Sequence, residues 1–254
     1  MSPPEDLRSR IQALLDGPVA AYLGEIPGGE PSERPLAELR EASAVSGLAT
    51  AWGERQGYDD PRVQVTQWSK FFWRAVLPPW GLAAWLGATV RLERCVMICR
   101  DDEPAALDFH APVGEPLDPV TAFAPWVEAM AAAGRLSPRV IWANAGNLLQ
   151  AMVEVLPELD PGLAVRASRL RRAWLEKRTH EGRRHPLFAS VRWLPGAPPR
   201  RLRRICCVRY RDPALGYCAT CPLEAAPASV SVRRSARRIA DRGPPKNQVS
   251  SGNG

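Results

Sequence analysis

The 254-residue sequence predicts an α+β fold that is predominantly α-helical, with a small antiparallel sheet and an irregular C-terminal segment. Two patterns predict this fold. Apolar residues recur at helical spacing through the first two-thirds of the chain, and one stretch near residue 95 alternates in the manner of a strand. The 19 Gly and 26 Pro exceed the usual share of these residues and indicate many short elements and turns.

Helix-forming patterns account for most of the first 178 residues. At 6–15 the apolar side chains recur at i, i+4, i+7 and i+8, which is the spacing of one buried helix face. Pro78 should end a helix at Leu77, and Ser137 followed by Pro138 is typical of a helix start. The predicted helices cover residues 6–15, 35–55, 63–76, 79–86, 118–133, 137–156 and 161–178.

The period of the pattern changes after residue 89. Residues 90–99 alternate in part and include β-branched side chains, so we predict a strand there, with an antiparallel partner at 105–110. The acidic residues and the proline at 101–104 suit the turn between them. Residues 26–34, rich in Pro, Gly and Glu, are predicted to be a loop, and only short extended or irregular pieces are expected after residue 178.

The composition excludes several classes of protein. An apolar content of 45% with nine Trp excludes disorder of the whole chain, and six Cys are too few for a disulfide scaffold. The N-terminus lacks the pattern of a signal peptide, and the most apolar stretch, 75–90, is too short to cross a bilayer. We therefore expect a cytoplasmic protein with no transmembrane segment, in which clustered cysteines bind metal more often than they pair.

The positive charge is concentrated in one segment. Residues 166–211 contain fifteen Lys or Arg and only two acidic residues, Glu176 and Glu181. This segment is either a solvated, arginine-rich face or a surface that meets a negatively charged partner.

Four of the six cysteines fall within sixteen residues: Cys206, Cys207, Cys218 and Cys221. Four thiolates in this C-C-x10-C-x2-C spacing suit a zinc ion or an iron–sulfur cluster. An adjacent pair is a poor zinc knuckle, because neighbouring side chains point apart and the chain must turn sharply at Cys206-Cys207. A two-iron cluster is wider than one ion, so the spacing favours it over zinc and over redox or structural thiols.

The cysteine motif resembles that of a known family. The run Arg203-Arg204-Ile-Cys-Cys-Val-Arg-Tyr-Arg-Asp-Pro, with Tyr217-Cys-Ala-Thr-Cys-Pro-Leu223, is similar to the C-terminal signature of the FhuF-type siderophore-iron reductases. Segments 68–79, 139–149 and 185–188 resemble the family as well, so the likeness covers roughly residues 45–223. Members usually end soon after the last cysteine, whereas this chain continues for 33 residues.

The resemblance implies a [2Fe-2S] protein that reduces ferric iron in hydroxamate-type siderophores by one-electron transfer and releases ferrous iron in the cytoplasm. Hydroxamate oxygens are hard donors that hold Fe(III) far more tightly than Fe(II), so one electron loosens the iron. No general base or nucleophile is needed, and we assign no catalytic residue. The family's cluster ligands correspond to Cys206, Cys207, Cys218 and Cys221.

The electron must come from outside the chain. The sequence has neither a G-x-G-x-x-G after a strand nor a P-loop, so we expect an external donor such as a ferredoxin or a reduced flavin. The basic segment would dock an acidic donor or attract an anionic ferric siderophore. The alternative is a nucleic-acid-binding regulator whose four cysteines sense redox state or hold zinc. No helix-turn-helix pattern supports it, and no stable nucleic-acid partner is expected.

The remaining candidates have structural interpretations. Cys95 and Cys99 are predicted to be buried free thiols. Asn144 is expected to make a structural hydrogen bond rather than a substrate contact, and His185 is expected to cap or pack.

We therefore predict one helical-rich reductase domain at 1–223 and a disordered basic tail at 224–254. The irregular iron–sulfur segment that binds the cluster is placed at 203–223.

Overall fold

A 26-residue helix, α3 (Pro61–Leu86), organises the computed structural model, and most of its side chains are buried. The structure describes residues 4–20, 28–197 and 199–224. Helix α3 packs against neighbouring helices and against the sheet. The other helices are α1 (Pro4–Asp16), α2 (Ala42–Arg55), α4 (Pro119–Ala133), α5 (Pro138–Leu159) and α6 (Ala164–Arg171). A π-helical turn, Arg172–Glu176, extends α6, and 3-10 turns lie at Leu36–Arg40, Leu92–Arg94, Pro161–Leu163, Arg209–Arg211 and Pro222–Glu224.

The strands form three small antiparallel sheets in the described residues. The largest has the order β1-β2-β3, with strands β1 (Pro31–Pro35), β2 (Val96–Arg100) and β3 (Glu103–Asp108). Two hairpins follow, β4 (Thr179–His180) with β5 (Arg183–Arg184) and β6 (Val191–Leu194) with β7 (Arg200–Arg203). The predicted fold class, mainly helical with small antiparallel sheets, is confirmed.

Aromatic side chains fill the core around α3. Trp73 and Trp80 both pack edge-on against Phe123 of α4, with ring centroids 5.4 and 4.9 Å apart, and Trp80 also lies 5.0 Å from Trp174. Each such ring removes a large apolar area from water and gains further from edge-to-face geometry. This packing holds α3, α4 and the turn after α6 together.

The predicted break of the central helix at Leu77 is wrong. Pro78 and Pro79 lie inside α3, and both are buried. A proline inside a helix loses a backbone hydrogen bond and costs roughly 3 kcal/mol. The apolar surface that α3 buries on both sides of the prolines outweighs that cost, because a buried large side chain stabilises by about 1.5–3 kcal/mol.

Three other boundaries also differ from the sequence prediction. Strand β1 lies within the predicted loop, because its backbone pairs with β2 although its side chains carry no apolar pattern. The predicted helix at 35–55 is divided at Glu41, which is extended. The predicted strand at 90–99 begins only at Val96, after a 3-10 turn.

The helix start at Ser137 is confirmed, since its hydroxyl accepts from the Arg139 N–H at 3.4 Å. Among the described helices, none has both the length and the apolar character that crossing a bilayer would take. The predicted tail at 224–254 falls outside the described residues except for Glu224. The domain boundary therefore stays a prediction.

Candidate functional site

The structure brings the four C-terminal cysteines together. The Sγ atoms of Cys207 and Cys218 lie 3.7 Å apart, and the Cys221 N–H donates to the Cys218 carbonyl at 2.9 Å. The Val208 N–H donates to Cys206 Sγ at 3.3 Å. Cys207 and Cys221 are buried, whereas Cys206 and Cys218 are half-buried. The group therefore lies at the edge of the core and not in a closed interior.

The sulfur atoms are spread more widely than one small ion requires. In a tetrahedral zinc site with bonds of about 2.3 Å, every pair of sulfurs is roughly 3.8 Å apart. Here one pair has that separation, but within the described residues no three of the four sulfurs lie within 4.8 Å of one another.

Cys207 is the sulfur most easily ionised. Hydrogen bonds from the thiols of Cys206 and Cys218 lower the pKa of Cys207, and the positive charges of Lys70 and Arg203 lower it further against the effect of burial. The pKa values of Cys206 and Cys218 are raised, mainly by their hydrogen bonds to Cys207. Thiolate is the form of cysteine that binds metal. The lowered pKa of Cys207 therefore favours the ionisation state that a metal ligand needs.

The chain turns sharply directly after the adjacent cysteines, as their spacing requires. Val208 has a φ of 52°, in the left-handed region. This conformation is costly for a β-branched residue. The surrounding structure holds the strained residue in place, which is typical of functional loops.

The N-terminal half of α3 anchors the cysteine segment at two points. The Thr66 hydroxyl donates to the Cys207 carbonyl at 2.7 Å, and both groups are buried. Arg211 Nε donates to Asp60 Oδ2 at 2.6 Å. That pairing helps to hold the pKa of Asp60 below its usual value, although burial acts in the opposite direction. The segment is thus fixed to a helix that is itself buried in the core.

A network of buried polar side chains contacts the cysteine segment and helps to fix its position. The Asn144 side-chain amide on α5 donates to the Thr66 carbonyl at 3.1 Å and to Ser69 Oγ at 2.8 Å. Its oxygen accepts from the Arg203 guanidinium. Arg203 also donates to Thr220 Oγ1 at 3.0 Å, and its backbone N–H donates to the Thr220 carbonyl at 2.9 Å. The expected structural hydrogen bonds of Asn144 are present, and they join α3, α5 and the loop between Cys218 and Cys221.

Two basic side chains and an unpartnered amide lie beside the cysteines. Lys70 Nζ donates to Gln67 Oε1 at 2.5 Å. Burial lowers the pKa of Lys70, and the charges of Cys207 and Cys218 oppose that effect. Buried donor atoms at Gln67 Nε2 and Arg209 Nε have no hydrogen-bond partner in the described part of the chain. The surroundings thus offer positive charge and free N–H groups, which are the features that stabilise a negatively charged iron–sulfur cluster.

The sequence did not single out Lys70 or Thr66. Lys70 is one of only three lysines and stands within an aromatic run, between Trp68 and Trp73. A single charged residue among apolar neighbours indicates that its charge needs a buried partner, so the sequence could have identified Lys70. Thr66 carried no comparable signal, because its hydrogen bond depends on a residue 141 positions away.

Most of the basic segment is exposed, as a surface for a charged partner requires. Among the fifteen basic residues at 166–211, Arg203 is buried, Arg201 and Arg209 are half-buried, and the others are exposed. Arg203 instead belongs to the buried polar network that contacts the cysteine segment.

His185 packs in the fold, as expected. It is buried, and its Nδ1 accepts from the Leu187 N–H at 3.2 Å. His185 Nε2 faces Asp118 at 3.8 Å, and His180 Nδ1 lies 3.5 Å from the same carboxylate. Three such residues can hold a metal. However, an Nδ1 that accepts a hydrogen bond leaves the ring proton on Nε2, where a metal would have to bind.

Asp118 also caps helix α4. Its Oδ1 accepts from the Val120 N–H at 2.9 Å and from the Thr121 N–H at 3.4 Å. The group therefore ties the start of α4 to the hairpin of β4 and β5.

Cys95 and Cys99 are buried free thiols, as predicted. Burial raises the pKa of Cys95 to about 12 and that of Cys99 to about 11.

Comparisons with known proteins find similarity to ferric iron reductases. Residues 120–199 match the family described as "Ferric iron reductase FhuF-like transporter". The resemblance to the FhuF-like family is confirmed. A curated relative, the ferric siderophore reductase of Escherichia coli (strain K12), is 33% identical over 104 residues. That alignment covers 41% of this chain and 38% of the relative.

The FhuF-like match covers nearly all of α4, all of α5 and α6, the β4–β5 hairpin and strand β6, including Asn144 and His185. It ends before the four cysteines. The assignment of the four cysteines as cluster ligands therefore stays a prediction, based on the motif and on the geometry described above.

Proposed function

We propose that this chain is a [2Fe-2S] electron-transfer protein that reduces Fe(III) bound to a siderophore. The observation that carries the proposal is the gathering of Cys206, Cys207, Cys218 and Cys221 on the buried N-terminal half of α3, in a chain with a FhuF-like match. A related reductase acts on ferric siderophores according to its description, and the same substrate class is proposed here.

The four thiolates would hold the cluster. The adjacent pair Cys206-Cys207 suits two irons better than one zinc, and unpartnered donors lie close by. When bound there, a [2Fe-2S] cluster supplies a carrier for single electrons, with a potential set by nearby charge, hydrogen bonds and exposure. The half-buried positions of Cys206 and Cys218 leave one side of the site near the surface.

The residues around the cysteines favour accepting an electron. A cluster held by the four thiolates would be negatively charged, so cations beside it would favour the arrival of an electron. Lys70 and Arg203 place two positive charges beside it, where the low dielectric of the surroundings strengthens their effect. Asn144 and Thr220 keep Arg203 in position, so the charge does not have to reorganise when the electron arrives.

The reaction transfers one electron to the siderophore-bound iron. Fe(III) becomes Fe(II), the bonds from the hard hydroxamate oxygens weaken, and the iron is released with the chelator intact. One electron from the external donor then restores the protein. No proton transfer by a side chain is required, so no catalytic residue is proposed.

The exposed arginines of 166–211 are proposed to guide an acidic donor such as a ferredoxin. We expect the second-order rate of reduction by a ferredoxin to fall at least about tenfold between low and physiological salt, because exposed charges are screened. A rate that does not change with ionic strength would exclude electrostatic guidance. A reduced flavin would show a much weaker dependence.

The proposed function is tested on full-length protein purified without oxygen. We expect two irons and two sulfides per chain, a red-brown colour and a paramagnetic signal on one-electron reduction. Anaerobic turnover of ferric hydroxamate siderophores with a ferrous trap should then yield Fe(II). A colourless protein with one zinc would instead favour a structural zinc site, and salt-sensitive DNA binding without Fe(II) formation would favour the regulator.

A further inference from the structure

A cavity of about 500 Å³ lies beside the cysteine segment. Its wall includes Arg204 and Ile205, the two residues that precede Cys206. Sites for small molecules usually enclose about 300–1,000 Å³. This cavity therefore has the size of a ligand site. One of its lining residues, Ile205, is adjacent in sequence to the candidate cluster ligand Cys206.

The charged residues that line the cavity are basic. Arg139, Arg184 and Arg204 line it and are exposed, and no acidic residue is among its lining in the described chain. Within the described residues, none of these three guanidinium groups makes a hydrogen bond or an ion pair, unlike Arg211, which pairs with Asp60. Three free cations line one opening: Arg139 at the start of α5, Arg184 in β5 and Arg204 directly after β7.

The rest of the wall is apolar and is held in place by the backbone. Phe188 and Ile205 contribute apolar surface. The Arg204 N–H donates to the Ser190 carbonyl at 3.0 Å, and Ser190 Oγ donates to the Gly146 carbonyl at 3.1 Å. The cavity thus combines a fixed apolar wall with several cationic groups, which is the composition that a bulky anion with organic arms requires.

We propose that this cavity binds the substrate and that it selects ferric chelates with a net negative charge, in which free carboxylates accompany the iron-binding groups. This inference rests on the proposed function and narrows its substrate class. Guanidinium groups pair with carboxylates through two parallel hydrogen bonds and remain charged at every physiological pH. A neutral tris-hydroxamate complex offers no such partner, and a cationic one is repelled.

The test measures binding without electron transfer. The probe is the redox-inert Ga(III) complex of a citrate-based dihydroxamate siderophore whose side arms carry free carboxylates, titrated calorimetrically into the full-length protein. We expect Arg139→Gln, Arg184→Gln and Arg204→Gln each to weaken binding about tenfold, as the loss of one charged hydrogen bond does. The matched control is Arg172→Gln, which removes the same charge from an exposed position outside the cavity. It should change the Kd less than about twofold.

The neutral Ga(III) complex of a ferrichrome-type siderophore should bind more weakly and should not respond to the three substitutions. Equal affinity for the two complexes, or an equal loss in Arg172→Gln, would overturn the inference. Flavin mononucleotide, an anion of different origin, is the third probe. If it competed as strongly as the carboxylated complex, the cavity would be a donor site and the inference would be wrong.

Turnover separates the two proposals. If the protein reduces ferric siderophores while the three arginine variants bind and reduce the carboxylated complex as well as wild type, only the inference fails. If no ferric chelate of any charge is reduced by the cluster-loaded protein, the proposed function itself fails.

Discussion

The two groups of cysteines in this chain are buried in different ways. Cys95 and Cys99 have exposed fractions of 2% and 0%, and burial raises the pKa of both thiols. Cys207 is 1% exposed, yet its pKa is lowered, because neighbouring thiols donate to it and two cations lie close. Burial alone therefore does not decide whether a thiol is inert. The donors and charges around the sulfur decide it.

The two groups also differ in what supports them. Cys95 and Cys99 belong to the apolar core beside the sheet. The C-terminal cysteines instead rest on buried polar side chains, chiefly Asn144, Arg203 and Thr66. The first arrangement is typical of structural thiols, and the second is typical of thiols with a chemical role.

The largest expected effect is on iron content. Cys207→Ser should reduce the iron bound per chain at least about tenfold, because it removes the sulfur that the others surround. Cys99→Ser should retain the iron, although a buried hydroxyl destabilises the fold. Iron and sulfide analysis of both purified variants provides the measurement. Iron retained in Cys207→Ser and lost in Cys99→Ser would reverse the assignment.

The polar support should contribute a large part of the stability. Asn144→Ala leaves the buried guanidinium of Arg203 and the Ser69 hydroxyl without their partner, so the free energy of unfolding should fall by about 2–4 kcal/mol. The matched control is Asn147→Ala on the same helix, where the side-chain oxygen has no partner in the described chain. That variant should change stability by less than about 1 kcal/mol in urea unfolding. Equal losses in the two variants would show that the network adds nothing.

The buried charge beside the cysteines should act on the reduction potential. Lys70→Gln is expected to lower the midpoint potential by on the order of 50–100 mV, because a unit charge several Å away is worth about 1–2 kcal/mol in such surroundings. Lys70→Arg should restore most of the potential, and Lys177→Gln, which removes an exposed charge, should shift it by less than about 15 mV. Redox titration followed by visible absorption distinguishes these variants. An unchanged potential in Lys70→Gln would mean that this charge does not act on the cluster.

A further expected effect concerns alkaline pH. The pKa of Cys99 is raised from 9.0 to about 11 in the folded protein, so the folded chain keeps a proton that the unfolded chain has lost. This contribution to stability is complete below pH 9 and is lost as the pH rises toward about 11, by about 1.4 kcal/mol per pH unit. Cys99→Ala should therefore lose less stability than wild type over that range in parallel urea titrations. Identical slopes would contradict the raised pKa.

Sequence periodicity predicted the fold class and most helices, because each helix carries its own buried stripe. It failed where distant pairing overrides local preference. Pro78 and Pro79 should have ended α3, but the core packed on both sides of them keeps the helix continuous. Strand β1 has no apolar alternation of its own and exists only because β2 offers it hydrogen bonds.

For the site, the spacing of the cysteines was enough to select all four candidate ligands, since a cluster needs several thiolates that are close along the chain. Only the tertiary structure identified their surroundings. Thr66, Lys70, Asn144 and Arg203 come from α3, α5 and β7, and no local pattern connects them. The candidate ligands are selected by short-range spacing, which the sequence contains directly. The electrostatics of the site depends on the distances between residues that are far apart in sequence. Those distances are set only when the helices pack.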